Sequence, residues 1–158
     1  MEKKNHQMPG GMENYSIIAD EAVRMLSPYM DEKLTIDNIG IVEDFSPNPG
    51  AWQIIESDST IVCSLYEESG GLLEAVSNFA GERFEGISER DALDAAAELL
   101  NYISGAYAKE MSERGTACEL QPPDYGNKLK KFSAVKICRV RLKTGKSKMG
   151  ISIGVLDI

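Results

Sequence analysis

Three polar residues in the second half of the chain stand at a spacing that can do chemistry. Asp94, Glu98 and Asn101 lie at i, i+4 and i+7. At about 100° per residue they share one stripe of an α-helix. Gly105 and Ala108 continue that stripe. A carboxylate offers charge and hydrogen-bond acceptors, and a carboxamide both donates and accepts without titrating. Glycine and alanine beside them leave the helix flat, so another protein can approach its backbone closely. Spacing alone is weak evidence. An acid and an asparagine on a helix are usually a solvated face, and Glu2 and Asn5 repeat the Glu-x-x-Asn pattern in the polar N-terminal stretch.

Other chemistries find fewer residues. The one histidine, His6, sits in that polar stretch, which argues against a Ser-His or Cys-His machine and against a zinc site. Cys63, Cys118 and Cys138 are odd in number, widely spaced and without a CxxC pair. They read as reduced thiols, mostly buried, in a cytoplasmic protein. There is no HExxH, no P-loop and no glycine-rich phosphate turn after a clear strand. No metal site and no cofactor of its own is therefore expected.

Composition sets the frame for these residues. With 158 residues, 42% hydrophobic and 27% charged, the chain reads as one soluble globular domain. No apolar run approaches the roughly 18 residues of a membrane span, and the start MEKKNHQMPGGMEN lacks the apolar run of a secretory leader. The net charge of −8 is unevenly spread. Residues 1–127 hold 8 Lys and Arg against 24 Asp and Glu, while residues 128–158 hold 9 against 1. The plain expectation is a sheet edge guarded by lysines, with a partner-binding surface as second choice. The acidic majority disfavours nucleic acid.

The elements that must position the stripe follow from periodicity. Residues 1–12 read as a loose tail and 13–158 as the single domain. Ile18, Ala22, Met25, Leu26 and Tyr29 recur at helical spacing and predict a first helix that Pro28 bends or ends. Residues 34–45 read as a strand, SPNPG at 46–50 as a loop, and 51–57 and 60–67 as a hairpin joined at Asp58-Ser59. A short helix over 72–80 closes at Gly81. Ser88 is an N-cap candidate for a long helix over about 89–114, with Gly115 at its end. Leu93, Ala96, Ala97, Leu100, Ile103, Ser104, Tyr107 and Met111 form its buried stripe. Its interior Gly105 costs about 1 kcal/mol relative to alanine, so it invites a reason. After the rigid turn QPPDYG, strands at 132–142 and 148–158 flank Thr144-Gly145-Lys146. The fold class is α+β, with a mainly antiparallel sheet carrying long helices on one face.

The stretch LDAAAELLNYISGAYAKEMSERG, residues 93–115, resembles the signature helix of the CheC/CheX/FliY family of chemotaxis phosphatases. That pattern runs Asp or Ser, three residues, Glu, two residues, Asn, then a proline some twenty residues on. It falls here on Asp94, Glu98, Asn101 and the Pro122-Pro123 pair. The first helix has Glu21-Ala22-Val23-Arg24 and lacks the asparagine of a second site. The resemblance is therefore to the CheX branch, with one site per chain.

The resemblance implies a function. The substrate would be the aspartyl phosphate of a phosphorylated CheY-like response regulator, whose receiver domain supplies its own Mg²⁺ and a lysine. Asn101 would position the attacking water, as a glutamine does in Ras-type GTPases. Glu98 would pair with the receiver's lysine, and Asp94 would touch the rim of the docked partner. Gly105 and Ala108 would give clearance. A homodimer is also implied, since such relatives pair through their sheets. The alternative is a receiver-binding or dimerising module that uses the same helix face without turnover.

Overall fold

The computed structural model describes residues 11–45, 49–81, 87–125 and 134–156. The expected tail over 1–10, most of the SPNPG loop and the outermost residues of the last two expected strands lie outside them. Helix α1 (Gly11–Leu26) begins two residues inside the expected tail. It buries Tyr15, Ile18, Ala19, Ala22 and Leu26. Pro28 lies in the 3-10 turn Ser27–Tyr29 that ends it, as expected of a residue that cannot donate to a helix.

Five of the six strands fall where the sequence pattern puts them, and the sixth, the two-residue pair Glu119–Leu120, was not expected. They are β1 (Thr35–Val42), β2 (Pro49–Glu56), β3 (Thr60–Glu67), β4 (Glu119–Leu120), β5 (Ala134–Lys143) and β6 (Lys148–Leu156). Between them run α2 (Gly71–Phe79) and α3 (Glu89–Glu113). The strands form one sheet in the order β1-β5-β6-β3-β2-β4, antiparallel at every pairing. Register explains the core. Cys63, Ile153 and Cys138 face one another across three strands, as do Leu65, Ile151 and Val140. These residues, with Ile55, Ile61, Leu142 and Met149, meet the buried side chains of all three helices in one cluster. The architecture is therefore α+β, with the helices on one face. On the other face Trp52 and Val62 pack with Phe45, Ile54 and Leu156.

The basic C-terminal hairpin does not guard an edge. β5 lies between β1 and β6, and the edges are β1 and β4. Its cations instead meet acids of the N-terminal half. Lys143 Nζ is 3.4 Å from Asp37, Arg141 Nε 3.4 Å from Glu68, and Lys146 Nζ 3.0 Å from Asp31. Arg139 lies over the Tyr66 ring and donates to the Asp44 carbonyl. The charge asymmetry along the chain thus becomes cross-strand complementarity. Each exposed pair is worth little alone, yet together they disfavour other strand orders.

The start of α2 shows how a cap can come from outside a helix. Its N-cap, Gly70, has φ 84° and no side chain to offer. The carboxylate of Glu67, at the end of β3, accepts instead from the N–H groups of Leu72 at 3.0 Å and Leu73 at 2.7 Å. Glu67→Ala should lower stability by about 1–2 kcal/mol, the range for losing an N-cap. Urea unfolding followed by circular dichroism measures this. An unchanged midpoint would show that water caps α2 equally well.

Candidate functional site

α3 carries the site, and its packing decides which way the site faces. The hydroxyl of Ser88 accepts from the Asp91 N–H at 3.1 Å and starts the helix as expected. Gly115, at φ 97°, lets the chain turn away at the other end. The helix buries Ala95, Ala96, Leu99, Leu100, Ile103, Ser104 and Tyr107 against the sheet and α1. The buried stripe is therefore turned slightly from the expected one. It takes in Ala95 and Leu99, while Leu93, Ala97 and Met111 are only partly buried.

With that stripe inward, Asp94, Glu98 and Asn101 are all exposed, and Gly105 and Ala108 are half-buried beside them. The five predicted residues do share one face. Glu98 makes no hydrogen bond or ion pair among the described residues, so its carboxylate is open to a cation from outside. Asp94 Oδ1 accepts from the hydroxyl of Tyr125 at 3.3 Å. Asn101 Oδ1 accepts from Gln53 Nε2 at 2.7 Å. A side chain added at Gly105 would meet nothing within 4 Å. Packing among the described residues therefore gives no reason for a glycine at that point.

The proline pair shapes the loop that flanks this face. Gln121 donates its N–H to the Ile54 carbonyl, and Asp124 exchanges both backbone hydrogen bonds with Trp52. Pro122 and Pro123 lie between these two anchoring points and have no N–H to leave unpaired. The segment can therefore lift off the edge of β2 between them and return, which carries Tyr125 to Asp94.

Three contributors escaped the sequence analysis. Gln53 is fully buried, at 0% exposure, in β2 between Ala51 and Ile55. A polar residue at an inward position of an apolar strand was the available signal. Tyr102, four residues after Glu98, keeps 45% exposure and meets the edge of Phe79, which meets Tyr29 in turn. Tyr125 lay in a segment read only as a turn. The cysteines take no part in the site. All three are free, with Cys63 and Cys138 buried, and burial pushes the Cys63 thiol up to about 12. No group of His, Cys, Asp or Glu among the described residues is arranged to hold a metal ion.

Comparison with known proteins agrees with this fold. Residues 54–130 match the family model described as chemotaxis phosphatase CheX. The match spans α3 and the proline loop. The chemotaxis protein CheX of Vibrio vulnificus superposes with a TM-score of 0.70 at 18% identity, over 90% of this chain and 99% of that one. A chemotaxis protein CheX from Desulfovibrio desulfuricans gives 0.68 at 16% identity, over 90% and 99%. A CheX–CheY–BeF3–Mg²⁺ complex from Borrelia burgdorferi gives 0.64 at 14% identity, over 91% and 98%. Among curated proteins, none matches the sequence significantly. At these identities the structural likeness is one of fold. The resemblance read from the long helix is borne out, and the chain is CheX-like in architecture.

Because nothing inside the chain requires Gly105, Gly105→Ala should raise stability by about 1 kcal/mol, the propensity difference in a helix interior. Thermal and urea unfolding measure it. A loss of stability would mean that the fold itself needs the glycine.

Proposed function

We propose that this chain is a protein-aspartyl-phosphate phosphatase that acts in the cytoplasm on a phosphorylated CheY-like response regulator. One observation carries the reading: Glu98 and Asn101 stand exposed on a single stripe of α3, the first without a partner among the described residues and the second held by a buried amide. In this reading α3 docks along the phosphorylation site of the receiver. The Glu98 carboxylate meets the receiver's lysine and orients the helix. Asn101 then holds a water in line with the phosphorus. The water oxygen forms the new P–O bond, the bond to the receiver's aspartate breaks, and the proton leaves with the phosphate. The receiver supplies the Mg²⁺ that neutralises charge on the transferring group. A non-titrating amide suits the task, because the reaction needs a positioned water more than a strong base. Asp94 and Tyr125 bound one end of the docking face. Gly105 and Ala108 give the clearance that close approach needs.

The test is phosphate release from a panel of acetyl-phosphate-loaded receivers of the same genome, with and without this protein. Asn101→Ala should return release to the receiver's own rate while docking survives. It should also lower fold stability by about 1 kcal/mol, because the Gln53 amide loses an acceptor. Glu98→Lys should weaken docking as well as turnover, by about 2–5 kcal/mol for a charge pair losing one member. Gly105→Ala should weaken docking despite stabilising the fold. If Asn101→Ala keeps the catalysed rate within twofold of the unsubstituted protein, Asn101 is not the catalytic group. Docking without any rate enhancement would favour a binding module.

The same reading includes a homodimer formed through β1. This edge strand keeps Ile36, Ile39 and Ile41 exposed, at 37%, 52% and 55%. Their cross-strand partners are Leu142, Val140 and Cys138, so they continue the helix-side face beyond the helices. An open edge with uncovered apolar residues is a pairing surface. Sedimentation equilibrium should report a dimer at micromolar concentration, and Ile39→Lys a folded monomer. A monomer without the substitution at high micromolar concentration would refute the assembly.

A further inference from the structure

Resting on the phosphatase reading, we infer that Gln53 is a positioning residue that fixes which way the Asn101 amide faces. The geometry assigns the atoms by chemistry alone. Gln53 Nε2 lies 2.7 Å from the backbone carbonyl of Gln121 and 2.7 Å from the Asn101 side chain. A backbone carbonyl can only accept. The Gln53 atom facing it must therefore be the NH₂ group, since the reverse orientation would set two oxygens against each other. That NH₂ spends one hydrogen on Gln121, so its second hydrogen meets Asn101, and the Asn101 atom there must be Oδ1. The Asn101 NH₂ group consequently points away from the chain, toward whatever docks on α3.

The arrangement suits the proposed chemistry. A carbonyl oxygen has two lone pairs, so Asn101 Oδ1 keeps one for a water after accepting from Gln53. Accepting that bond polarises the amide and strengthens its outward N–H donors. An asparagine on an exposed helix face would otherwise sample several rotamers and both amide orientations. The relay from the Gln121 carbonyl through Gln53 removes that freedom before the receiver arrives, which is what positioning requires. It also gives the proline loop a role, because the carbonyl that orients Gln53 belongs to the residue preceding Pro122.

A further feature separates this role from a structural one. Gln53 is fully buried and its Oε1 has no hydrogen-bond partner among the described residues. A buried acceptor without a donor weakens the fold, and an apolar side chain of similar size avoids the loss. In stability the unpaired oxygen offsets part of what the bonds to Gln121 and Asn101 contribute, whereas orientation of Asn101 needs the amide itself.

The experiment has two readouts. In the free chain, the side-chain amide resonances of Gln53 should be protected from hydrogen exchange, and those of Asn101 should exchange with water. In Asn101→Ala one Gln53 proton should lose its protection. This readout needs no activity, so it stands or falls apart from the phosphatase reading. In the second, Gln53→Leu and Gln53→Met are assayed at saturating acetyl-phosphate-loaded receiver with Mg²⁺. We expect kcat to fall about tenfold to a hundredfold, with KM within twofold and the protein fully folded under the assay conditions. Gln53→Glu should fall comparably, because its carboxylate turns the Asn101 NH₂ inward. The inference is overturned if the Gln53 amide exchanges as fast as a surface glutamine. It is overturned equally if a folded Gln53→Leu or Gln53→Met keeps kcat within twofold. A fall in kcat that tracks an equal loss of stability and a rise in KM would assign Gln53 a purely structural role.

Discussion

The packing of α3 onto β2, β3 and α1 is the constraint from which the rest of the molecule follows. Burying Leu99, Leu100, Ile103 and Tyr107 stabilises the fold by about 1.5–3 kcal/mol for each side chain. Any rotation of the helix about its axis would expose some of them. The same contact that holds the domain together therefore fixes the outward direction of Asp94, Glu98 and Asn101. A face set by core packing is also rigid, and a helix is a more precise platform for a functional side chain than a loop. The candidate residues need few devices of their own because the core has already aimed them.

Charge is handled in two places with opposite logic. Along β5 and the turn after it, Arg141, Lys143 and Lys146 are matched to Glu68, Asp37 and Asp31, so these three cations of the basic end meet acids of their own fold. On α3, Glu98 has no partner among the described residues. A carboxylate that is unpaired at home can pair with a foreign lysine without first breaking an internal bond. The Asn101 amide complements it. It carries no charge, its state does not depend on pH, and its orientation is set from beneath by Gln53. Such a face suits the proposed reaction, in which the partner would bring the metal and most of the charge stabilisation.

Much of the fold was legible in the sequence because its signals are local. The strands at 60–67 and 148–156 and the helix from Ser88 to Gly115 carry period, cap and turn residues that agree with one another. The stripe Asp94, Glu98, Asn101, Gly105 and Ala108 was legible for the same reason, since helical spacing alone puts its members together. Hydrophobic period also identified the buried side of α3 to within a small rotation, missing Ala95 and Leu99.

What the sequence could not decide were the long-range pairings. Strand order is a matter of which surfaces meet, and nothing local in the basic hairpin says that β1 will cover it, so it reads as an edge when its strands β5 and β6 are interior to the sheet. Gln53 and Asn101 are 48 residues apart, and Gln53 alone reads as one polar residue in an apolar strand. By itself the sequence determined the elements, the composition of one helix face and the chemistry that face could carry. Only the tertiary structure decided which backbone carbonyl reaches Gln53, and through it how Asn101 is held, because a hydrogen-bond relay across β2, α3 and the proline loop exists only once those three segments are packed together.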